Sequence, residues 1–430
     1  MGLVVQKYGG TSVADAQRIK RVAERVVSCV DAGQRVCVVV SAMGYTTDEL
    51  VDLAAQISAT PHARELDMLL SAGERISMAL LSMAIIELGR EAISFTGSQA
   101  GIVTDTRHGR AKIVDVRAKR VLEALDTGKV VIVAGFQGVS TEYDVTTLGR
   151  GGSDTTAVAL AAALDADACE IFTDVDGVYT ADPRIIPEAR KLHAVSYEEM
   201  LELSASGAKV LMLRSVEYAR NYGVLIHVRS SFTDEDGTWV REEDARMEQA
   251  IISGIAHDTS EAKVTIMRVP DRPGIAARVF RPLADEGVNV DMIVQNASDE
   301  AGHTDIFFTL PKDDLGRAQP VLEAISSEVG AQGIETDTDI GKVSLVGAGM
   351  KSNPGVAADM FEALGDAGIN LEIISTSSIR ISCVVRAEDV ERAVKAIHDK
   401  FGLSEETVLR ELHPATVTDE MRALGRDGAR

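Results

Sequence analysis

The sequence has little of what most often announces a specialised chemistry. Four cysteines, Cys29, Cys37, Cys169 and Cys383, are spread over 430 residues, and neither CxxC nor HExxH occurs. This argues against a disulfide framework and a zinc site. Cys37 and Cys169, in or beside apolar strand-like runs, read as buried reduced thiols. No metal-ligating set of the protein's own is expected. Aromatic residues make up 4% of the chain, with a single Trp. Positive charge is scarce as well: 44 Lys and Arg stand against 66 Asp and Glu, a net charge of −22. Such a surface repels phosphate backbones and acidic membranes, so neither nucleic acid nor membrane is expected as a partner. No basic segment followed by an apolar run opens the chain, and no stretch reads as a membrane span, so the expected location is cytoplasmic. GxxxxGK[ST] and GxGxxG are also missing, which excludes a P-loop and a dinucleotide fingerprint.

What is present is an ordinary globular composition, 26% charged and 45% apolar, long enough for two to four domains. Up to about Arg229, short β-branched runs (LVVQKY, RVCVVVS, EAISFT, KVVIVAGF, ACEIFTDV, VLIHV) alternate with stretches of helical periodicity such as AQRIKRVAERVVSCV and TTAVALAAALDA. That is α/β architecture with a mainly parallel sheet, and ligands are expected where strands end and helices begin.

From Lys263 the chain repeats itself. PGIAARVFRPLADEGVNVDMI (273–293) aligns without a gap to PGVAADMFEALGDAGINLEII (354–374), with identical Pro, Gly, Phe, Leu, Asp and Asn at matching places. Each copy follows a strand, enters a helix after Pro-Gly, stops at glycine and starts another strand at Asn, as a βαβ half-unit does. The acidic stretch FTDEDGTWVREEDARMEQA reads as a linker, followed by one strand, IISGIA. The boundaries expected are 1–230 for the first domain, 231–262 for linker and connecting strand, 263–338 and 339–412 for the repeats, and 413–430 for a tail.

Three glycine-hydroxyl loops follow strands and precede helices: KYGGTS (7–12), SAMGYTT (41–47) and LGRGGSDTT (148–156). Glycine lets backbone N–H groups close on an anion, and a helix N-terminus adds a favourable dipole. One such loop is an ordinary tight turn; three in one α/β domain point to an anionic ligand. Lys7 as a solvated surface lysine would need no function. Beside Gly9 and Gly10 it can cradle a transferring phosphoryl group. In TDVDGVYTADPR (173–184), Asp174, Asp176 and Asp182 can equally serve turns and caps, and Asp176-Gly177 reads best as a turn. Glu74 and Arg75 can be a helical surface pair, or Glu74 can face a substrate ammonium.

KYGGTSV, VVVSAMGYTTDEL, SAGERIS, TLGRGGSDTTA and TDVDGVYTADPR, in this order, resemble the signatures of the aspartokinases, in the amino-acid-kinase superfamily. The two repeats resemble that family's tandem ACT domains, so the resemblance covers nearly the whole chain. It implies a three-layer αβα domain followed by two ferredoxin-like βαββαβ domains. These 430 residues leave no room for a fused homoserine dehydrogenase. The implied reaction is ATP + L-aspartate → 4-phospho-L-aspartate + ADP, the committed step towards lysine, threonine and methionine. By motif match, Lys7 and Asp154 are catalytic, and Ser41, Thr47, Glu74, Arg150, Gly151, Gly152 and Ser153 bind aspartate. Lys7, Tyr8, Gly9, Gly10, Thr173, Asp174, Tyr179, Asp182, Arg184 and Lys209 bind ATP, whose Mg2+ is held mainly by phosphate and water. Lysine, threonine or both are implied as inhibitors at Asp271, Gly274, Ile275, Ala276, Asn289, Gln295 and Asn370. Ser352 and Asn353 replace Asp271 and Arg272 in the second repeat, so the two copies need not bind alike. The expected assembly is a homo-oligomer, or an α2β2 form whose short subunit starts at Met247. Rival readings are another kinase of the superfamily, such as a glutamate kinase, and a catalytically silent amino-acid sensor.

Overall fold

The computed structural model describes residues 2–243, 252–353 and 355–404. Met247, Pro354, the side chain of Ser352 and everything from 405 onward, including the expected tail, lie outside the described residues. The β-branched runs form strands because they bury both faces. In chain order these are β1 (Leu3–Tyr8), β2 (Arg35–Val40), β3 (Ala92–Phe95), β4 (Ile102–Thr104), β5 (Ile113–Val116) and β6 (Val130–Ala134). They continue as β7 (Gln137–Ser140), β8 (Val145–Thr147), β9 (Ala168–Thr173), β10 (Ala194–Ser196), β11 (Ile226–Ser230) and β12 (Thr238–Arg241). The helices between them are α1 (Ala16–Asp31), α2 (Thr46–Ile57), α3 (Ala63–Glu87), α4 (Lys119–Asp126), α5 (Gly152–Ala163), α6 (Tyr197–Ala205) and α7 (Leu213–Tyr222).

Eight strands pair in the order β10-β12-β11-β9-β1-β2-β6-β3, parallel except where β12 runs against β11. Strand side chains alternate between faces. Val5, Cys37, Val39, Val131 and Val133 meet α4, α5 and α7 in one core. Val4, Val38, Val40 and Ile132 meet α1 and α3 in another. These are the three layers expected. A second small sheet, β5-β4-β7-β8, stands beside them and was not foreseen. All four cysteines are free, and three are buried, with burial pushing the Cys37 thiol up to about 12.

The C-terminal part holds β13 (Gly254–Asp258), β14 (Glu261–Pro270), α8 (Ile275–Asp285), β15 (Asp291–Gln295), β16 (His303–Pro311), α9 (Leu315–Val329) and β17 (Gly333–Asp337). After these come β18 (Ile340–Val346), α10 (Val356–Asp366), β19 (Ile373–Thr376), β20 (Arg380–Arg386) and α11 (Val390–Lys400). The first repeat makes an antiparallel sheet, β15-β16-β14-β17, in βαββαβ sequence. The second sheet runs β13-β18-β20-β19, so its last place is filled by a strand that precedes the first repeat. The strand assigned to the connection therefore belongs to the second repeat, and the first repeat is inserted within it. The stretch read as linker is corrected too: Thr238–Arg241 joins the N-terminal sheet, and Trp239 stacks on His227 at 4.0 Å.

One helix among the described residues, α3, is long and apolar enough to cross a membrane by length and composition, contrary to the expectation of none. It buries Asp67, Ser71, Glu74 and Ser77 against the protein, as a core helix beside a polar site does.

Candidate active site

The carboxyl ends of β9, β1, β2 and β6 lie side by side, with Lys7 in register with Val39 and Ile171. The loops that leave this edge touch one another. A Cβ on Gly10 would stand 3.0 Å from Ala42 O and 3.1 Å from Gly44 O, so a side chain there would push these carbonyls away by a few tenths of an ångström. Gly44 N–H donates to Gly10 O at 3.0 Å, making the first two glycine loops one unit. Gly9 N–H donates to Phe172 O at the end of β9. Tyr8 turns its ring into the core, stacked on Phe172 at 4.7 Å, so only its backbone borders the edge.

The third loop enters α5 through Gly149 (φ 78°) and Gly151 (φ 71°). Gly152, Ser153 and Asp154 form the first turn of the helix and are buried. Gly135, just after β6, lets that turn close on the sheet: a Cβ there would lie 2.7 Å from Ser153 Oγ. Asp154 is thereby brought 2.6 Å from Lys7 Nζ, with both side chains largely buried. The contact lies off the hydrogen-bond direction, and Oδ1 has no hydrogen-bond partner among the described residues. Arg150 is exposed and makes no ion pair with a described residue.

Glu74 is not half of a surface pair. It is 3% exposed, and its Oε1 accepts Ala42 N–H at 3.2 Å while Oε2 is buried without a hydrogen-bond partner among the described residues. Desolvation pushes its carboxyl up to about 7, against the backbone hydrogen bonds that lower it. Arg75 instead donates to Gln137. Ser41 and Thr47, half-buried, flank the same loop, with Ser41 N–H on Tyr8 O.

Sequence reasoning missed Asp67, one turn before Ser71 and two before Glu74. Buried in α3, it accepts His108 Nδ1 at 2.7 Å, Gly109 N–H at 3.1 Å and Thr147 Oγ1 at 2.5 Å. It ties the 107–110 loop and β8 to α3, directly ahead of Arg150. The signal was legible: Asp67, Ser71, Glu74 and Ser77 form a polar stripe on an otherwise apolar face.

The segment after β9 carries the second group. Thr173 Oγ1 donates to Asp174, and Tyr179 OH donates to Asp176 at 2.7 Å, which also takes Lys191 Nζ at 3.1 Å. Asp182 and Arg184 pair with each other, Nη2 to Oδ2 at 2.6 Å, and the guanidinium holds the Asp182 carboxyl below its usual range. Lys209 is exposed just beyond α6. Burial lowers the pKa of His257 of β13, also missed, with smaller contributions from the charges of Asp182, Arg184 and Lys209.

In the first repeat Gly274 (φ 88°) opens α8, and Asp271 accepts from Gln295 at 3.5 Å and from Ser298. Ala276, Asn289 and Asn370 are exposed. Ile275 is a core side chain, leaving only its backbone toward a ligand. Among the described residues no three His, Cys, Asp or Glu side chains gather as a metal site.

Residues 2–230 match the amino acid kinase family, and residues 263–329 and 343–401 each match an ACT domain. An aspartokinase of Mycolicibacterium smegmatis is 62% identical over 407 residues, 94% of this chain and 97% of its own. That of Corynebacterium glutamicum is 59% identical over 410 residues, with the same coverage. Among solved structures, E. coli aspartokinase III with aspartate and ADP, in its R-state, overlays with a TM-score of 0.80 at 27% identity, covering 93% of this chain and 99% of that one. Its T-state complex with lysine and aspartate overlays at 0.72, with the same identity and coverage.

Proposed function

The chain belongs to the aspartokinase family, and from that premise we propose how its residues divide the work of an ATP-dependent aspartate kinase. The observation that carries the division is Ala42. Its N–H holds Glu74, and its carbonyl abuts Gly10, so an ammonium site and a phosphate loop share one residue.

Aspartate is bound by its α-ammonium on the free Oε2 of Glu74 and its α-carboxylate on the guanidinium fork of Arg150. Ser41, Thr47 and the amides of Gly151, Gly152 and Ser153 complete the substrate side. The β-carboxylate, with a reference pKa of about 3.9, is already ionised and needs no general base. Its oxygen attacks the γ-phosphorus as the bond to the bridging oxygen breaks, and ADP leaves with those electrons. Catalysis is then positioning and charge compensation. Lys7 Nζ lies over the transferring group, and its ion pair with Asp154 aims it there. Thr173, Asp174, Tyr179, Asp182, Arg184 and Lys209, with the backbone of Tyr8, Gly9 and Gly10, hold the nucleotide. The Mg2+ that ATP carries would be held mainly by phosphate and water, and would neutralise phosphate charge there.

The product feeds lysine, threonine and methionine synthesis, and lysine, threonine or both inhibit through Asp271, Gly274, Ala276, Asn289, Gln295 and Asn370. The relative's T-state complex with lysine supports that reading. A cytoplasmic homo-oligomer fits this use of free amino acid and ATP. A short second subunit from Met247 would appear in mass spectra of natively expressed protein. The substrate division is tested with Arg150→Ala, which should raise the aspartate KM by one to two orders of magnitude, roughly the ~1.5–3 kcal/mol of a charged hydrogen-bonded contact. An unchanged KM would remove Arg150 from the site. Turnover of glutamate equal to that of aspartate would reject the substrate.

A further inference from the structure

The nucleotide segment does not stand on the catalytic domain alone. The excursion closed by the Tyr179–Lys191 bridge packs its far side into the second ACT domain. Ala181 and Ile186 share one hydrophobic cluster with Ile255, Met360 and Ile397. Thr180, fully buried, is the polar centre of that contact. Its carbonyl accepts Ile255 N–H of β13 at 2.8 Å, and its N–H donates to Arg190 O at 2.9 Å. Its hydroxyl meets Arg190 N–H at 3.0 Å, His398 Nε2 at 3.1 Å and Leu403 O at 3.4 Å.

A hydroxyl has one hydrogen and two lone pairs. The Leu403 carbonyl can only accept, so it takes the hydrogen. Arg190 N–H takes one lone pair, and the other is left for His398. That arrangement requires His398 to carry its proton on Nε2, leaving Nδ1 bare. Nδ1 is indeed buried without a hydrogen-bond partner among the described residues, and burial lowers the pKa of the ring, which favours the neutral form. His398 lies in the last turn of α11, and Thr180 stands two residues before Asp182.

We propose that His398 is a positioning residue for ATP: from the second ACT domain it holds Thr180, and through it the Asp182–Arg184 turn, in the conformation that receives the nucleotide. The proposal rests on the assignment of residues 173–184 to ATP. It makes nucleotide binding the step that α11 controls. Glu74 and Arg150 hang on α3 and the loop before α5, away from this contact.

The test is steady-state kinetics of the full-length enzyme with ATP and aspartate varied in turn. His398→Leu and Thr180→Val should each raise the ATP KM about fivefold or more, the worth of one neutral hydrogen bond, with aspartate KM and kcat held within about twofold. His398→Gln, whose amide can donate to the Thr180 hydroxyl, should restore most of the loss. A merely structural role would lower the melting temperature and the active fraction while leaving the ATP KM alone, and that result overturns the proposal. So does an equal rise in both KM values. If His398→Leu does not fold, Thr180→Val against Thr180→Ser decides: a raised ATP KM in the first alone supports the proposal, and no rise in either overturns it. Asp182→Asn separates the two layers. An unchanged ATP KM there means the nucleotide assignment itself fails. A raised value there, with His398→Leu unmoved, means only the positioning role fails.

Discussion

At the residue scale the most informative group is Glu74, because burial and function pull it in opposite directions. Its folded pKa, about 7, lies above the ordinary 4.5, so the protonated form is the more compatible with folding. The associated stability is fully present below pH 4.5 and is lost as pH rises through 7. The total is about 3 kcal/mol. Binding an ammonium needs the ionised form. The aspartate KM of the wild type should therefore fall as pH rises from 6 to 8, with Glu74 contributing about a tenfold change. Glu74→Gln should weaken aspartate binding, flatten that limb and melt at a higher temperature than wild type at pH 8. A KM profile that Glu74→Gln leaves unaltered would remove the ammonium role. Asp67, fully partnered on the same helix face, has no such free oxygen, which separates a structural carboxylate from a ligand-binding one.

At the scale of elements, the glycines at strand ends set the geometry. Gly151 caps α5 at φ 71°, and a Cβ there would fall 2.0 Å from Met212 Cγ. The left-handed conformation alone costs a non-glycine residue about 1–2 kcal/mol. Gly151→Ala should displace the turn that carries Asp154 and cut kcat at least tenfold, while circular dichroism stays near wild type; retained kcat would show the loop adapts. Much of this architecture was legible. Most strands of the parallel sheet are short, β-branched runs, and β1 emerged over Leu3–Tyr8, the run read as LVVQKY. The small sheet was not legible, because three- and four-residue strands such as VTT carry too little periodicity. β12 was hidden by its acidic flanks. β13 was seen as a strand, but its partner β18 lies beyond the whole first repeat, and local pattern holds no information about so distant a pairing. Within the site, the glycine loops, Lys7 and Glu74 stood out by residue type and spacing. Asp67 was marked by the polar stripe on α3, whereas Gly135 and Thr180 act only through neighbours that folding supplies.

At the scale of the whole molecule, the two repeats face each other through reciprocal charges. Lys342 of the second repeat meets Asp291 of the first at 3.0 Å, and Lys263 of the first meets Glu372 of the second. These lysines open equivalent strands, so the contact has approximate two-fold character. Lys342, 1% exposed, also reaches Glu261 at 2.5 Å and the carbonyl of Ala205 at the end of α6. The regulatory pair thus touches the catalytic domain beside the segment that carries Lys209. Lysine and threonine together should inhibit the wild type by a factor within about 5- to 150-fold. Asp271→Ala and Gln295→Ala should each lose most of that inhibition, since they remove the acceptor and its partner at the mouth of α8. Wild-type activity indifferent to both amino acids, or variants inhibited as tightly as wild type, would take the effector site out of this loop.

All of these scales meet at the Lys7–Asp154 contact. The direct measurement is to incubate ATP and L-aspartate with enzyme in hydroxylamine, which traps an acyl phosphate as the hydroxamate, for wild type and Lys7→Ala side by side. Wild type should accumulate aspartate β-hydroxamate in step with ADP. Lys7→Ala should fall at least a hundredfold in turnover, about 2.7 kcal/mol of transition-state charge stabilisation, with little change in aspartate KM. ADP release without hydroxamate in the wild type, or near-normal turnover in Lys7→Ala, would contradict the site described.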